Sequence, residues 1–492
     1  MTPSNDLFEL IQSLNKSEQR YVSIALMQND GNNYSRLFSV IAAQENYDEK
    51  QIKQEFKKEA FVKHFAFTKN YLHNLILKLL RNYYSESNIN VDLHNKIVDI
   101  EVLIEKGFYK QAYTRTKAAV ALAKEHELPQ VELELLSIVK RFFYRGLYDI
   151  DEKELERNEK KLLDKIVNLH VFENINVDVH LKYIHHGLYR KTKPSEDPVK
   201  KVERLKIKPQ TLTALYHYLT AVTVFYGNNR KFNSEFWKAV KKCELLFVKN
   251  PVFAKHKPLF LINAYHTKAL TQVLAGKMDE VYSTIETIEN LSNVYKFKLT
   301  PAVRVKLIEV KISLKFEYYY ETRQFDKGVA ELPPILEDLR QFGKYIVKRE
   351  ITMIANHTAA MFYFIDRQYK KSIKILHEII NNENKIFARI RNQSKFLIFI
   401  NHFELQNKEA FNYLIKLYPP ETKSIEYQVI YFLRDEIMNE KSKKILKIKW
   451  VELKRRIDKH PDLLKLKTYF EADKWVESKI QNISYKEMLT KS

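Results

Sequence analysis

Short polar breaks recur about every 38–47 residues between residues 92 and 420. They fall at Lys106–Ala112, Arg145–Asp149, His186–Arg190, Asn229–Phe232, Ala275–Asp279, Thr322–Asp326, Asp366–Tyr369 and Gln406–Ala410. At each one a Gly, Asn or Arg ends an apolar stripe of helical spacing, and a bulky residue opens the next. The clearest case is residues 359–380. Ala360, Tyr363 and Phe364 form one stripe, and Ile373, Leu376, Ile379 and Ile380 form another. Asp366–Tyr369 is too polar to continue either stripe, so the stretch reads as two helices facing each other across a tight turn. A small residue three positions after the bulky one, as at Ala112, Gly328 and Ser372, lets the paired helices approach.

Composition supports helices throughout. The 492 residues contain 8 Gly and 13 Pro, where average usage gives about 34 and about 25. Sheets and phosphate loops need glycine at turns and bulges. The single Cys243 excludes an internal disulfide framework and a thiolate metal cluster, and its amphipathic surroundings mark it as a small core residue. Residues 1–11 lack a basic leader and a continuous apolar core. No apolar run reaches the roughly 18 residues of a membrane span, so a cytoplasmic location is expected. The net charge of +22 is spread along the chain rather than blocked. It reads first as lysines solvating outer helix faces, with nucleic acid as the alternative.

The paired units resemble tetratricopeptide-like (TPR-like) helical repeats. The best-matching unit has Ala360 at the small position, Tyr363 at the aromatic position, Tyr369 and Ser372 at the turn and Leu376 at the large position. Ala269, Gly276 and Ile285 match in another unit, Tyr226 and Tyr319 keep the aromatic position in two more, and Gly107, Tyr109, Ala112 and Ala119 match in the first. The resemblance implies an all-α chain: an N-terminal helical bundle followed by a right-handed α-solenoid of hairpins. The expected divisions are 1–90 for the bundle, 91–420 for a solenoid of about eight hairpins with a joint at 191–209, and 421–492 for a C-terminal basic helical cap. Prolines shorten the helices at the joint, and Leu332–Ile335 is expected to interrupt its helix or delay its start.

Two basic segments carry competing readings. Residues 51–81 are locally basic, and Phe65–Asn70 could be the turn before a DNA-recognition helix. The apolar Leu72, Leu75, Ile76, Leu79 and Leu80 favour a capping role instead. In Lys441–Ile457, the residues Ile445, Leu446, Ile448, Trp450, Leu453 and Ile457 are expected to seal the last repeat. The alternative there is an anionic partner, met through phosphate contacts or membrane adsorption.

Motifs for chemistry are lacking. No glycine-rich loop opens a helix, and His180, His185 and His186 do not share a face. No catalytic, cofactor-binding or metal-ligating residue is assigned. The carboxylates Asp149, Asp151, Glu152, Glu154 and Glu156 read as helix-start charge, and Phe142–Tyr144 and Tyr318–Tyr320 read as packing aromatics. The resemblance implies a non-enzymatic scaffold or adaptor that takes a protein or peptide partner on its concave face, with Thr220, Asn263, His266, Ser313 and His357 facing the groove. The alternatives are a bacterial-type transcriptional regulator, with a DNA-binding bundle and a peptide-sensing solenoid, and an RNA-binding repeat protein.

Overall fold

The computed structural model describes residues 5–29, 32–85, 88–143, 151–188, 196–229, 231–342, 349–381, 388–420, 422, 424–467 and 469–491. The chain divides into two compact units, Met1–Phe260 and Leu261–Ser492. The described residues are almost all helical, and no strand occurs among them.

In the first unit the order is α1 (Asp6–Ser13), α2 (Lys16–Asn29), α3 (Asn32–Ala43), α4 (Glu49–Glu55), a 3-10 turn at Ala60–His64 and α5 (Phe65–Ser85). Next come α6 (Ile89–Glu105), α7 (Tyr109–Glu125), α8 (Pro129–Phe143), α9 (Glu152–Leu188), α10 (Pro198–Leu205), α11 (Leu212–Asn228), α12 (Ser234–Lys249) and α13 (Pro251–His256). Helix α14 (Pro258–Leu274) leads into the second unit. There follow α15 (Met278–Tyr295), α16 (Pro301–Glu321), α17 (Phe325–Phe342), α18 (Arg349–Ile365), α19 (Tyr369–Ile380), α20 (Ala388–Glu404) and α21 (Lys408–Leu417). The chain ends with α22 (Ile425–Phe432), a π turn at Leu433–Ile437, α23 (Lys443–Asp458), α24 (Leu463–Lys467), α25 (Ala472–Gln481) and α26 (Tyr485–Lys491).

Helix starts use side chains that satisfy the free N–H groups of the first turn. Asn15 accepts from the N–H groups of Ser17 and Glu18, while the Glu18 carboxylate accepts from the Asn15 N–H at 2.8 Å. Asp48, Asn88, Thr211, Asn233, Thr300, Asn407, Ser424 and Ser442 cap later helices.

Helix ends share one device. Gly107, Glu127, Gly276, Arg323, Arg367 and Gln406 adopt positive φ. In each case the next N–H reaches back five residues, as from Gln324 to the Tyr319 carbonyl and from Gln368 to the Tyr363 carbonyl, both at 2.8 Å. These stops coincide with five of the polar breaks read from the sequence. The Asn229–Phe232 break also separates two helices. The break at Arg145–Asp149 lies outside the described residues. Of the break expected at His186–Arg190, the backbone is helical as far as Leu188, the last described residue of α9, and the rest lies outside the described residues. A buried stripe of Leu162, Leu169, Phe172, Ile175 and Val179 holds this 37-residue helix together.

Small residues sit where paired helices cross. Ala112 and Ser372 are fully buried, and the Ser372 hydroxyl donates to the Ala360 carbonyl at 2.8 Å. Gly328 differs from that expectation: its close approach is to the following helix, where a Cβ would overlap the ring of Phe362 on α18 rather than meet α16. The TPR-matched Ala360, Tyr363, Leu376, Ala269, Ile285, Tyr226, Tyr319 and Ala119 are all buried. Pro333 and Pro334 neither interrupt α17 nor delay its start; they lie inside it. Buried Leu332, Ile335 and Leu339 anchor the helix on both sides of the lost hydrogen bonds.

Candidate interaction surfaces

The five residues expected to face a groove take different places. Thr220 is 8% exposed and interacts with Cys243, whose thiol burial pushes up to about 12. That thiol is therefore unreactive at neutral pH. Asn263 is half-buried on α14. His266 and Ser313 meet: Nε2 lies 2.8 Å from the serine Oγ, joining α14 to α16. Burial, with Lys306 nearby, lowers the His266 pKa to about 3, so the ring is neutral. His357 is 8% exposed on α18, with Nδ1 3.0 Å from the Ser394 Oγ on α20. Its Nε2 is buried without a hydrogen-bond partner, and burial lowers its pKa to about 4.

His357 is enclosed because the chain's own C-terminal segment covers α18 and α20. Tyr469 stands edge-on to His357 and donates its hydroxyl to Glu426 at 2.5 Å. Phe470 packs on Phe364 and Phe396 with ring centroids 5.7 Å away. Trp475 is fully buried, and its indole N–H donates to Glu404 at 2.6 Å. Glu471 accepts from Tyr320 at 2.5 Å and from Arg323 at 3.2 Å, and Lys486 pairs with Asp326 and Asp366. Along α18 the residues from Ala359 to Ile365 are all buried, while Ile354 nearer its start is 44% exposed. Local stripe reading could not foresee this cover, because the covering residues lie more than 100 positions downstream of α18.

Helix α23 is sealed on one face only. Trp450, Leu453 and Ile457 are buried, whereas Ile445 and Ile448 point outward, contrary to the expectation for those two. At 100° per residue, Leu446, Trp450, Leu453 and Ile457 share a stripe that Ile445 and Ile448 do not join.

In the first unit α5 also has two faces. Leu72, Ile76 and Leu79 are buried, while Phe67 is 71% exposed and shares the outer side with Asn70, Tyr71, Asn74, Lys78 and Arg81. Phe65–Asn70 is the first part of α5 itself, not a turn before it. Tyr71 rests on Tyr34 at 4.9 Å. At the base of the helix, Lys69 pairs with Glu49 at 2.6 Å. Burial raises the Glu49 pKa, but hydrogen bonds from Lys53 and Lys69 outweigh it and hold the group at about 2.

A cavity of about 260 Å³, not anticipated from sequence, lies where the α7–α8 turn meets α11, α12 and α13. His126 and His256 stand edge to face in it, with centroids 4.3 Å apart, and burial lowers the pKa of both. Glu127 accepts the Leu212 N–H at 2.7 Å, tying the turn to the start of α11.

Of the sequence's other suggestions, Phe142 and Tyr319 are core residues, and Tyr320 is held by Glu471. His180 lies 2.9 Å from its own helix's Asn176 carbonyl. The side chains of His185 and His186 lie outside the described residues, as does Asp149. No group of three or more potential metal ligands occurs among the described residues. No helix among them is long and apolar enough to cross a membrane. No family model, curated protein or solved structure matches the chain.

Proposed function

We propose that the chain is a non-enzymatic scaffold whose TPR-like helix pairs stack as an α-solenoid and hold a protein or peptide partner. The observation that carries this reading is the α14–α16 seam. There His266 on α14 and Ser313 on α16 meet through a hydrogen bond, and Asn263 lies one turn before His266; all three are polar and half-buried, on what we take as the first helices of two successive pairs. First helices are the ones that line the concave side of such a stack. Because the C-terminal segment covers His357 on α18 and packs on α20, we place the binding face within the second unit on α14 and the part of α16 around Ser313. A partner helix or extended segment would take it by apolar contact and by hydrogen bonds to these polar groups.

The test is affinity capture from native cytosol with nuclease present, comparing the wild type with Asn263→Trp. A protein recovered by the wild type and lost with the variant supports the reading. Recovery of nucleic acid alone, or a partner set indifferent to the substitution, overturns it.

A second reading rests on α5. Its outer row of Phe67, Asn70, Tyr71, Asn74, Lys78 and Arg81 offers stacking, base-edge and phosphate contacts on one helix. That would suit a regulator that binds DNA through its N-terminal helices, or an RNA-binding protein. Duplex or RNA binding that weakens steeply with salt and is lost on Lys78→Glu with Arg81→Glu would favour it.

A further inference from the structure

We propose that the outer face of α23 is a docking surface for an anionic lipid bilayer. It is independent of the α14–α16 seam. The helix and its flanks, residues 441–459, carry nine Lys or Arg and two Asp or Glu. The acidic groups at and around the helix are already paired: Glu436 and Glu440 with Lys449, Asp458 and Glu477 with Lys454, and Glu452 with Arg456. Lys441, Lys443, Lys444, Lys447, Arg455 and Lys459 remain as exposed cations.

Between these cations lies an aliphatic strip. Ile445, Ile448 and Val451 are 43%, 61% and 51% exposed, although the inward stripe is supplied by other residues. The helix is therefore apolar on two opposite sides, of which folding uses one. Lys443 and Lys444 also sit in the first turn, where the helix dipole disfavours positive charge and which holds no acidic residue of its own. Neither feature serves the fold, and both serve an interfacial helix. The aliphatic strip enters the boundary of the acyl chains while long lysine stems carry their ammonium groups up to lipid phosphates.

The choice of a bilayer over nucleic acid follows from the side chains between the cations. They are branched aliphatics, with no exposed aromatic to stack on a base and no Asn or Gln to read one. The helix, about 24 Å long, lies along a surface and is far too polar to span one.

The experiment is co-sedimentation of the full-length protein with vesicles of phosphatidylcholine alone or mixed with phosphatidylglycerol. Binding is expected only with phosphatidylglycerol, weakening as sodium chloride is raised. Both Ile448→Glu and the pair Lys444→Glu with Lys447→Glu are expected to reduce it at least tenfold. All three positions are exposed, so thermal unfolding should be unchanged and confirms that the variants are folded. Absence of binding to either vesicle, or binding that Ile448→Glu leaves intact, overturns the proposal. So does binding to duplex DNA or RNA that is lost with the lysine pair but kept with Ile448→Ser, which would reassign the face to phosphate contact alone.

Discussion

The cores of the two units are built differently. In Met1–Phe260 the described buried apolar residues fall into separate groups. One joins α1–α5, one joins α6–α8, a small one joins α8 to α9, and one joins α9 to α11. In Leu261–Ser492 one group takes in buried residues from Val305 to Leu489, on α16 through α26, while the buried residues of α14 and α15, such as Ile262 and Ile285, stand outside it. The difference comes from the C-terminal helices. They return to α16, α18 and α20 through Glu471, Phe470 and Trp475, so residues far apart in sequence share one interior. Where each group involves only neighbours, stability is a sum of local terms. Where distant segments share an interior, it is cooperative.

The largest test is Trp475→Ala. It empties a fully buried site and removes the indole hydrogen bond to Glu404, leaving that carboxylate to Lys479. A loss of about 3–5 kcal/mol is expected. Hydrogen exchange should show α18, α20 and α25 losing protection together; loss confined to α25 would break the contrast. Phe172→Ala in the first unit is expected to cost about 3 kcal/mol. Its effect should stay within α9 and α11, where Phe172 meets Tyr218 at 5.7 Å, and spare α6–α8.

Acid should act on the shared interior next. His357 has its pKa lowered by burial from 6.5 to about 4. Between these values the unfolded chain binds a proton that the folded chain refuses, so stability falls as pH drops through that window. The loss from this group reaches about 2 kcal/mol by roughly pH 5. His266 acts in the same direction. Melting temperatures at neutral and mildly acidic pH should converge partly in His357→Gln.

Gly328→Ala is a smaller test with an inverted sign. In most helices the change is favourable by about 1 kcal/mol, but here the new methyl meets the Phe362 ring. A net loss of about 1–2 kcal/mol is expected in denaturant unfolding. The smallest effect is a gain: Arg367→Gly relieves a side chain held at φ 60° and should add about 1 kcal/mol.

Local signals made much of this legible. The polar breaks mark helix ends because stops are short-range, and apolar stripes separate Leu376 or Leu453 from their exposed neighbours. The polar breaks read at Arg145–Asp149 and His186–Arg190 bracket α9, whose buried stripe through Phe172 and Val179 lies between them. The groove positions were harder. His266 and Ser313 are brought together as adjacent first helices would bring them, but nothing near His357 announces that Tyr469 will cover it. Ile448 was misassigned because every apolar residue of a basic helix was credited to one face.

The recurring left-handed stop has a consequence for how such a chain can change over time. The bend is secured by two main-chain hydrogen bonds, and its central residue is Gly at two positions but Glu, Arg or Gln at others. Any of these substitutions leaves the joint intact at a cost a large interior can absorb. Hairpins of this kind can be rewritten letter by letter while their hinges keep the same angle, so common ancestry would survive in geometry long after it had faded from spelling.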